Sequence, residues 1–209
     1  MTTAQSITER SSRRSLDATA LARVAIFAAI VAVLGLPGSF SVAGGVPITV
    51  QTLGVMLAGA VLGPWLGALS MVVFMALVAL GMPLLAGGRG GIGVFFGPSA
   101  GYLIGWIAGA FVIGLIVHAG GRKPVLWRTV LGVLVGGILV IYAFGVPVQS
   151  LITRLPVLET AWLSLVFIPG DIVKAIIAVL IIGTLVRAYP RAFGRVWNSK
   201  HTPELKTVR

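Results

Sequence analysis

The sequence predicts an all-α integral membrane protein of six transmembrane helices with both termini in the cytoplasm. Three observations carry this prediction. First, 57% of the 209 residues are hydrophobic and only 10% are charged, against about a quarter charged in a soluble domain. The mean hydropathy of +1.05 agrees. Second, apolar runs fall near 18–37, 47–63, 65–82, 98–118, 125–148 and 168–189, each near the roughly 20 residues that a helix needs to cross a bilayer core. Third, the basic residues alternate with those runs, as the positive-inside rule requires.

The first span follows a polar tail, 1–17, with Arg10, Arg13 and Arg14. No small-residue cleavage pattern follows the apolar run, so the tail reads as cytoplasmic rather than as a cleaved leader. The second and third spans meet at Gly63-Pro64-Trp65, a turn tight enough to force an antiparallel hairpin. Connectors 38–46, 83–97 and 149–167 separate the others, and a basic tail, 190–209, follows the membrane domain 18–189. In this topology thirteen Lys and Arg residues lie inside, among them Arg23, Arg122, Lys123, Arg128, Arg187 and Arg191, and only Arg89 and Arg154 lie outside. Insertion and contact with anionic lipid therefore account for the net charge of +11, and nucleic acid is not needed as a partner. The expected location is the cell (inner) membrane, as a multi-pass protein.

Composition also excludes chemistry. Without cysteine there is no disulfide, iron–sulfur cluster or thiol nucleophile. Two histidines, His118 and His201, with Glu204 the one acidic residue near either in sequence, are too few ligands, so no metal site is expected. No Gly-Lys-Ser/Thr phosphate loop is present, so the chain does not itself hydrolyse ATP. An enzyme is not expected, because a general acid–base pair cannot be assembled from a single intramembrane acid.

That acid is Asp171, and Lys174 is the one base within a span; both lie in "IPGDIVKAIIAVL". Pro169 suits the first helical turn, which puts Asp171 at the positive end of the helix dipole. An (i, i+3) pair shares one face, here near the outer end of the last span. Ionisable residues inside a membrane mark functional sites by default; the alternative is a structural ion pair holding the last helix to its neighbours. As a ligand site the pair selects its cargo. An ionised carboxylate accepts N–H or O–H donors, and an ammonium attracts a carboxylate or carbonyl oxygen. Other polar groups on the spans are few: Thr49, Gln51, Thr52, Ser70, Ser99, Tyr102, Tyr142 and Gln149. Of these, Gln51 and Tyr102 are suited to hydrogen-bond a ring. Seven glycines between Gly87 and Gly101 read either as a loop folded over an outward-facing pocket or as a flexible outer loop. Ala18, Ala22, Ala25, Ala29 and Ala32 form a small-residue ridge on the first span, suited to close approach by another helix, within the bundle or from a partner.

Three blocks, Val46–Met71, Gly81–Trp106 and "PGDIVKAI" from Pro169 to Ile176, together resemble the biotin-transporter family called BioY. These proteins are the substrate-binding (S) components of energy-coupling-factor (ECF) transporters. The resemblance covers roughly residues 16–190. It implies an S-component-like six-helix bundle that binds biotin near its outer face, with biotin as cargo and no cofactor. It implies partners as well: a coupling membrane protein and two ATP-hydrolysing subunits. Some family members act without a dedicated module, so a self-sufficient biotin carrier, as a homodimer in one version, is the alternative. The resemblance carries the binding role onto Asp171, Lys174, Tyr102 and the glycine loop with Gly88, and Ala25 with Ala29 match the face toward the coupling protein; Gln51 and Arg89, from their own chemistry and place, complete the expected biotin-binding set. Two departures stand out: Ser99-Ala100 where the family commonly has Thr-Gly, and Arg89 where a smaller polar residue is expected.

Overall fold

The computed structural model describes residues 18–38, 40–41, 45–120, 124–189 and 193. The two tails, with Arg10, Arg13, Arg14, Arg191 and Arg195, and the basic pair Arg122 and Lys123 lie outside the described residues.

Helix α1 spans Ala18–Val33 and buries Val24, Ala28 and Val31, a stripe at i, i+4 and i+7 that faces the bundle. It stops four residues short of the expected 37, because Gly35 and Pro37 turn the chain. Ala25 and Ala29 are exposed on its outer side. A two-residue antiparallel ladder, β1 (Phe40–Ser41) with β2 (Pro47–Ile48), closes the connector.

Helix α2, Gln51–Ala79, is one run by hydrogen bonding, but Gly63 adopts φ 80, ψ −178 and Pro64 follows it. The chain reverses there. A Cβ on Gly67 would sit 2.9 Å from the Cα of Gly59, whereas residues eight apart in a straight helix are separated by about 12 Å. The hairpin expected at Gly63-Pro64-Trp65 is therefore formed. Pro64 has no N–H to give the carbonyl of Ala60 four residues earlier, and His118 Nε2 donates to that oxygen at 2.9 Å instead. Replacing His118 with Ala should leave the Ala60 carbonyl unpaired. The expected loss is about 1–3 kcal/mol, measurable as a lower unfolding temperature in detergent.

Helix α3 spans Ala100–His118. Helix α4, Leu126–Leu134, runs through a π-helical segment, Val135–Val140, into α5, Ile141–Thr153. Glycine permits this crossing to be close: a Cβ on Gly105 would lie 2.9 Å from the Ile141 carbonyl, and one on Gly109 2.6 Å from that of Gly136. A wider residue at either position would push α3 off this rod. The connector expected over 149–167 is largely helical. It holds the end of α5, the short helix α6 (Val157–Ser164) and a 3₁₀ turn, Leu165–Phe167. Pro147 and Pro156 punctuate this stretch in the sequence, but Pro147 is accommodated within α5 and Pro156 is the N-cap of α6. Helix α7, Ile168–Ala188, buries Asp171, Ala175, Ala178 and Ile182 and turns its other faces outward.

Among the described residues four helical runs are long and apolar enough to cross a membrane: Gln51–Ala79, Ala100–His118, Leu126–Thr153 and Val157–Ala188; the apolar α1 is shorter. The main core gathers Val55, Met71, Phe74, Tyr102, Trp106, Ile141 and Phe167. Its upper end, where α2, α3 and α7 begin, opens into a cavity.

Candidate functional site

The start of α7 places Asp171 and Lys174 on the buried side of the helix. Their side chains are 8% and 12% exposed, and Lys174 Nζ lies 2.7 Å from Asp171 Oδ1. The same ammonium donates to the Thr49 carbonyl at 2.8 Å and to Thr52 Oγ1 at 2.9 Å. An ammonium has three hydrogens, so Lys174 is fully committed. It ties α7 to the turn that opens α2. Asp171 Oδ2 accepts from the Tyr142 hydroxyl at 2.6 Å and keeps a lone pair for a further donor.

A cavity of about 620 Å³, open mouth included, surrounds this pair. One wall is the 46–52 segment, another the start of α3 with Ser99, Tyr102 and Trp106; Ile141, Tyr142 and Phe167 close it. Two polar poles stand out on largely apolar walls, Asp171 with its partners and Arg89. Arg89 sits on a tight turn in which Leu85 and Arg89 exchange backbone hydrogen bonds of 3.0 and 3.2 Å. Gly87 and Gly88 take φ 77 and 69 there, a left-handed pair that favours glycine. Arg89 Nε reaches the Ala86 carbonyl at 3.4 Å. Its terminal nitrogens have no hydrogen-bond partner among the described residues. Partial burial lowers the Arg89 pKa from its ordinary value, yet a guanidinium remains charged at neutral pH.

Tyr102 is fixed from several sides. Its hydroxyl donates to Gln149 Oε1 at 2.9 Å and lies 3.0 Å from Ser164 Oγ, which itself donates to the Thr160 carbonyl. Its ring meets Tyr142 edge-on at 5.9 Å and Phe167 at 6.4 Å. Through these contacts α6 is pinned over the cavity.

Of the six residues expected to bind ligand, Asp171, Lys174, Arg89 and Tyr102 come together around this space. Gln51 also lines it, but its amide is taken by backbone. Nε2 donates to the carbonyls of Val31 (3.1 Å) and Leu84 (3.0 Å), and Oε1 accepts from the N–H of Ala86 (3.0 Å). Gln51 thus buttons the end of α1 and the glycine loop to the start of α2. Gly88 borders a different hollow, between Ala32–Gly38 and Pro83–Gly88. Spacing alone does not separate Tyr142 and Thr52 from the other polar residues on the spans. A usable signal for Tyr142 is the Gly136-Gly137 pair just before it, where the helix widens to π form; such segments are frequent at functional sites.

Comparison with known proteins gives consistent matches. A model of the BioY family matches residues 7–191. The "Biotin transporter BioY" of Rhodobacter capsulatus is 46% identical over 178 residues, covering 81% of this chain and 94% of that one. The "Probable biotin transporter BioY" of Bacillus subtilis is 48% identical over 156 residues, covering 74% and 83%. A solved structure, the S-component for biotin from an ECF-type ABC transporter, superposes with a TM-score of 0.76 at 35% identity, covering 81% of this chain and 91% of that one.

Proposed function

The chain belongs to the BioY family, and on that premise we propose that it is the biotin-binding membrane subunit of a vitamin uptake transporter. It captures biotin at the outer face and delivers it inward with an ATP-driven partner module. The observation that carries this reading is the cavity: a ring-lined space with an acceptor pole at Asp171 and a cationic pole at Arg89. Biotin has matching ends, a ureido ring with two N–H donors and a carboxylate on a flexible chain. Asp171 accepts from the ureido N–H groups. Lys174 fixes the carboxylate of Asp171 and the Thr49 turn, and Tyr102 supplies ring surface. Gln51 and Gly88 act by holding and shaping the loop that carries Arg89.

The finer topology is six spans with both termini cytoplasmic. It is supported by the reversal at Gly63 and by the exposed aromatics Trp127 and Tyr189, which lie beside Arg128 and Arg187 in sequence, at the end away from the cavity, and suit a membrane interface. The outward-facing Ala25 and Ala29 suit close packing by a coupling subunit; such a partner carries the two ATPases that this chain lacks.

Titration of the detergent-purified protein with biotin, by calorimetry or tryptophan fluorescence, tests the proposal. Saturable binding without nucleotide is expected, and a folded sample that binds no biotin would sink it. Biotin uptake into liposomes holding this chain alone would replace the partner-dependent step with a self-sufficient carrier.

A further inference from the structure

Helix α6 is amphipathic the wrong way round for a helix that meets water. Its polar residues are on the inner side: Thr160 and Ser164 are buried, and their hydroxyls donate to the carbonyls of Pro156 and Thr160. Its apolar residues are on the outer side: Leu158 is 72% exposed and Trp162 67%, and Leu165 on the 3₁₀ turn that follows is exposed as well. A helix bordering water keeps the opposite order. The one charged residue of α6, Glu159, is also exposed. At about 100° per residue it falls on the flank of Trp162 away from Leu158 and Leu165.

The depth of α6 follows from α7. The 21 residues Ile168–Ala188 rise about 31 Å, which alone crosses a hydrocarbon core of about 30 Å. The earlier part of the same helical run, from Val157, therefore lies at the edge of the core on the cavity side. The turn before it lays α6 back against α5. Arg154 ends α5 in left-handed geometry, φ 59 and ψ 25, and Ser150 Oγ donates to the Leu155 carbonyl at 2.6 Å. Arg154 is exposed, and its guanidinium has no hydrogen-bond partner among the described residues.

We propose that α6 is docked in the phospholipid leaflet at the cavity end of the bundle. Leu158, Trp162 and Leu165 enter the acyl region, Glu159 stays on the water side, and Arg154 meets lipid phosphate. An apolar sector carrying a tryptophan suits the boundary between headgroups and chains. A long cationic side chain keeps its apolar stem in that boundary and its charge among the phosphates. The occupant is lipid because the exposed apolar face continues along α7 through Ile172, Ile176 and Leu180, the length of a span, so whatever solvates α7 reaches α6. On its inner side α6 meets the Tyr102 hydroxyl through Ser164 Oγ at 3.0 Å. The helix that lipid holds is thus also the helix that braces a cavity wall, whatever the cavity binds.

The chain contains no cysteine, so Leu158→Cys, Glu159→Cys and Trp162→Cys each give the full-length protein a single site for a nitroxide label. The labelled proteins are placed in liposomes of phosphatidylcholine and phosphatidylglycerol. Collisions with molecular oxygen, which concentrates among the acyl chains, should exceed those with a water-soluble nickel chelate at 158 and 162. At 159 the order should reverse. Dominant collisions with the chelate at 158 and 162, or the same ratio at all three positions, would overturn the proposal. Labels at 158 and 162 that neither reagent reaches, or that broaden by coupling to a second label, would also overturn it, since protein would then cover the face. A second measurement serves where a cysteine variant does not fold: wild type against Trp162→Phe in liposomes of brominated phosphatidylcholine. The emission that this exchange removes should be strongly quenched by the bromine, and loss of unquenched emission would count against lipid contact and overturn the proposal.

Discussion

Replacing Asp171 with Asn is expected to weaken biotin binding more than tenfold and to destabilise the ligand-free protein. Asp171 Oδ1 holds Lys174 Nζ at 2.7 Å, and Oδ2 holds the Tyr142 hydroxyl at 2.6 Å. An amide offers a single neutral acceptor oxygen, and a charge-assisted hydrogen bond is roughly twice as strong as a neutral one. The ligand's N–H donors therefore meet a poorer partner. Removing one member of a buried pair also leaves the other charge uncompensated, a change that costs about 3–5 kcal/mol. Because both properties fall together, the single variant does not separate a ligand contact from a structural staple.

A double variant does. Asp171→Leu combined with Lys174→Met removes both charges while keeping similar bulk. Such exchanges are often neutral or stabilising, so thermal unfolding should return toward the wild-type temperature. If Asp171 receives the ligand, biotin binding stays lost in that stable protein. Recovery of near-wild-type affinity together with stability would mean that the pair merely fastens α7 to α2, and the ligand would have to be held elsewhere in the cavity.

This pair was legible from sequence because its physics is local. A carboxylate and an ammonium inside an apolar run are rare, and three-residue spacing behind Pro169 is enough to place them on one face near a helix start. The reversal at Gly63 was legible for the same reason, since Gly-Pro sets its own backbone geometry. What spacing along the chain does not carry is the identity of partners across helices. Gln51 is as polar as Asp171, but three backbone groups from α1 and the glycine loop meet its amide. Tyr142 reaches Asp171 from a helix whose register is shifted by the π segment just before it. Helix α6 was hidden because the contacts that fix it, Ser164 to Tyr102 above all, are long-range. The ridge of Gly101, Gly105 and Gly109 announces a close helix contact by its four-residue period, yet only the fold shows that α5 and the π segment fill it.

Gly145→Ala is expected to weaken biotin binding by roughly tenfold or more by displacing Tyr102, with a smaller change in stability. A Cβ on Gly145 would overlap the Tyr102 ring, lying 2.6 Å from Cγ and closer still to two other ring carbons. The ring has little room to retreat. Its hydroxyl is held at Gln149 and Ser164, and its faces and edges meet Tyr142 and Phe167. Overpacking of this kind costs about 1–3 kcal/mol, while alanine gains up to about 1 kcal/mol over glycine within a helix such as α5. The two effects partly offset in folding but not in binding, because the displaced ring is itself a cavity wall. A second substitution tests the cause. In a Tyr102→Leu background the collision is absent, so Gly145→Ala should have little further effect on biotin affinity. An equal loss in both backgrounds would show that the added methyl acts through the α3–α5 seam as a whole and not through Tyr102.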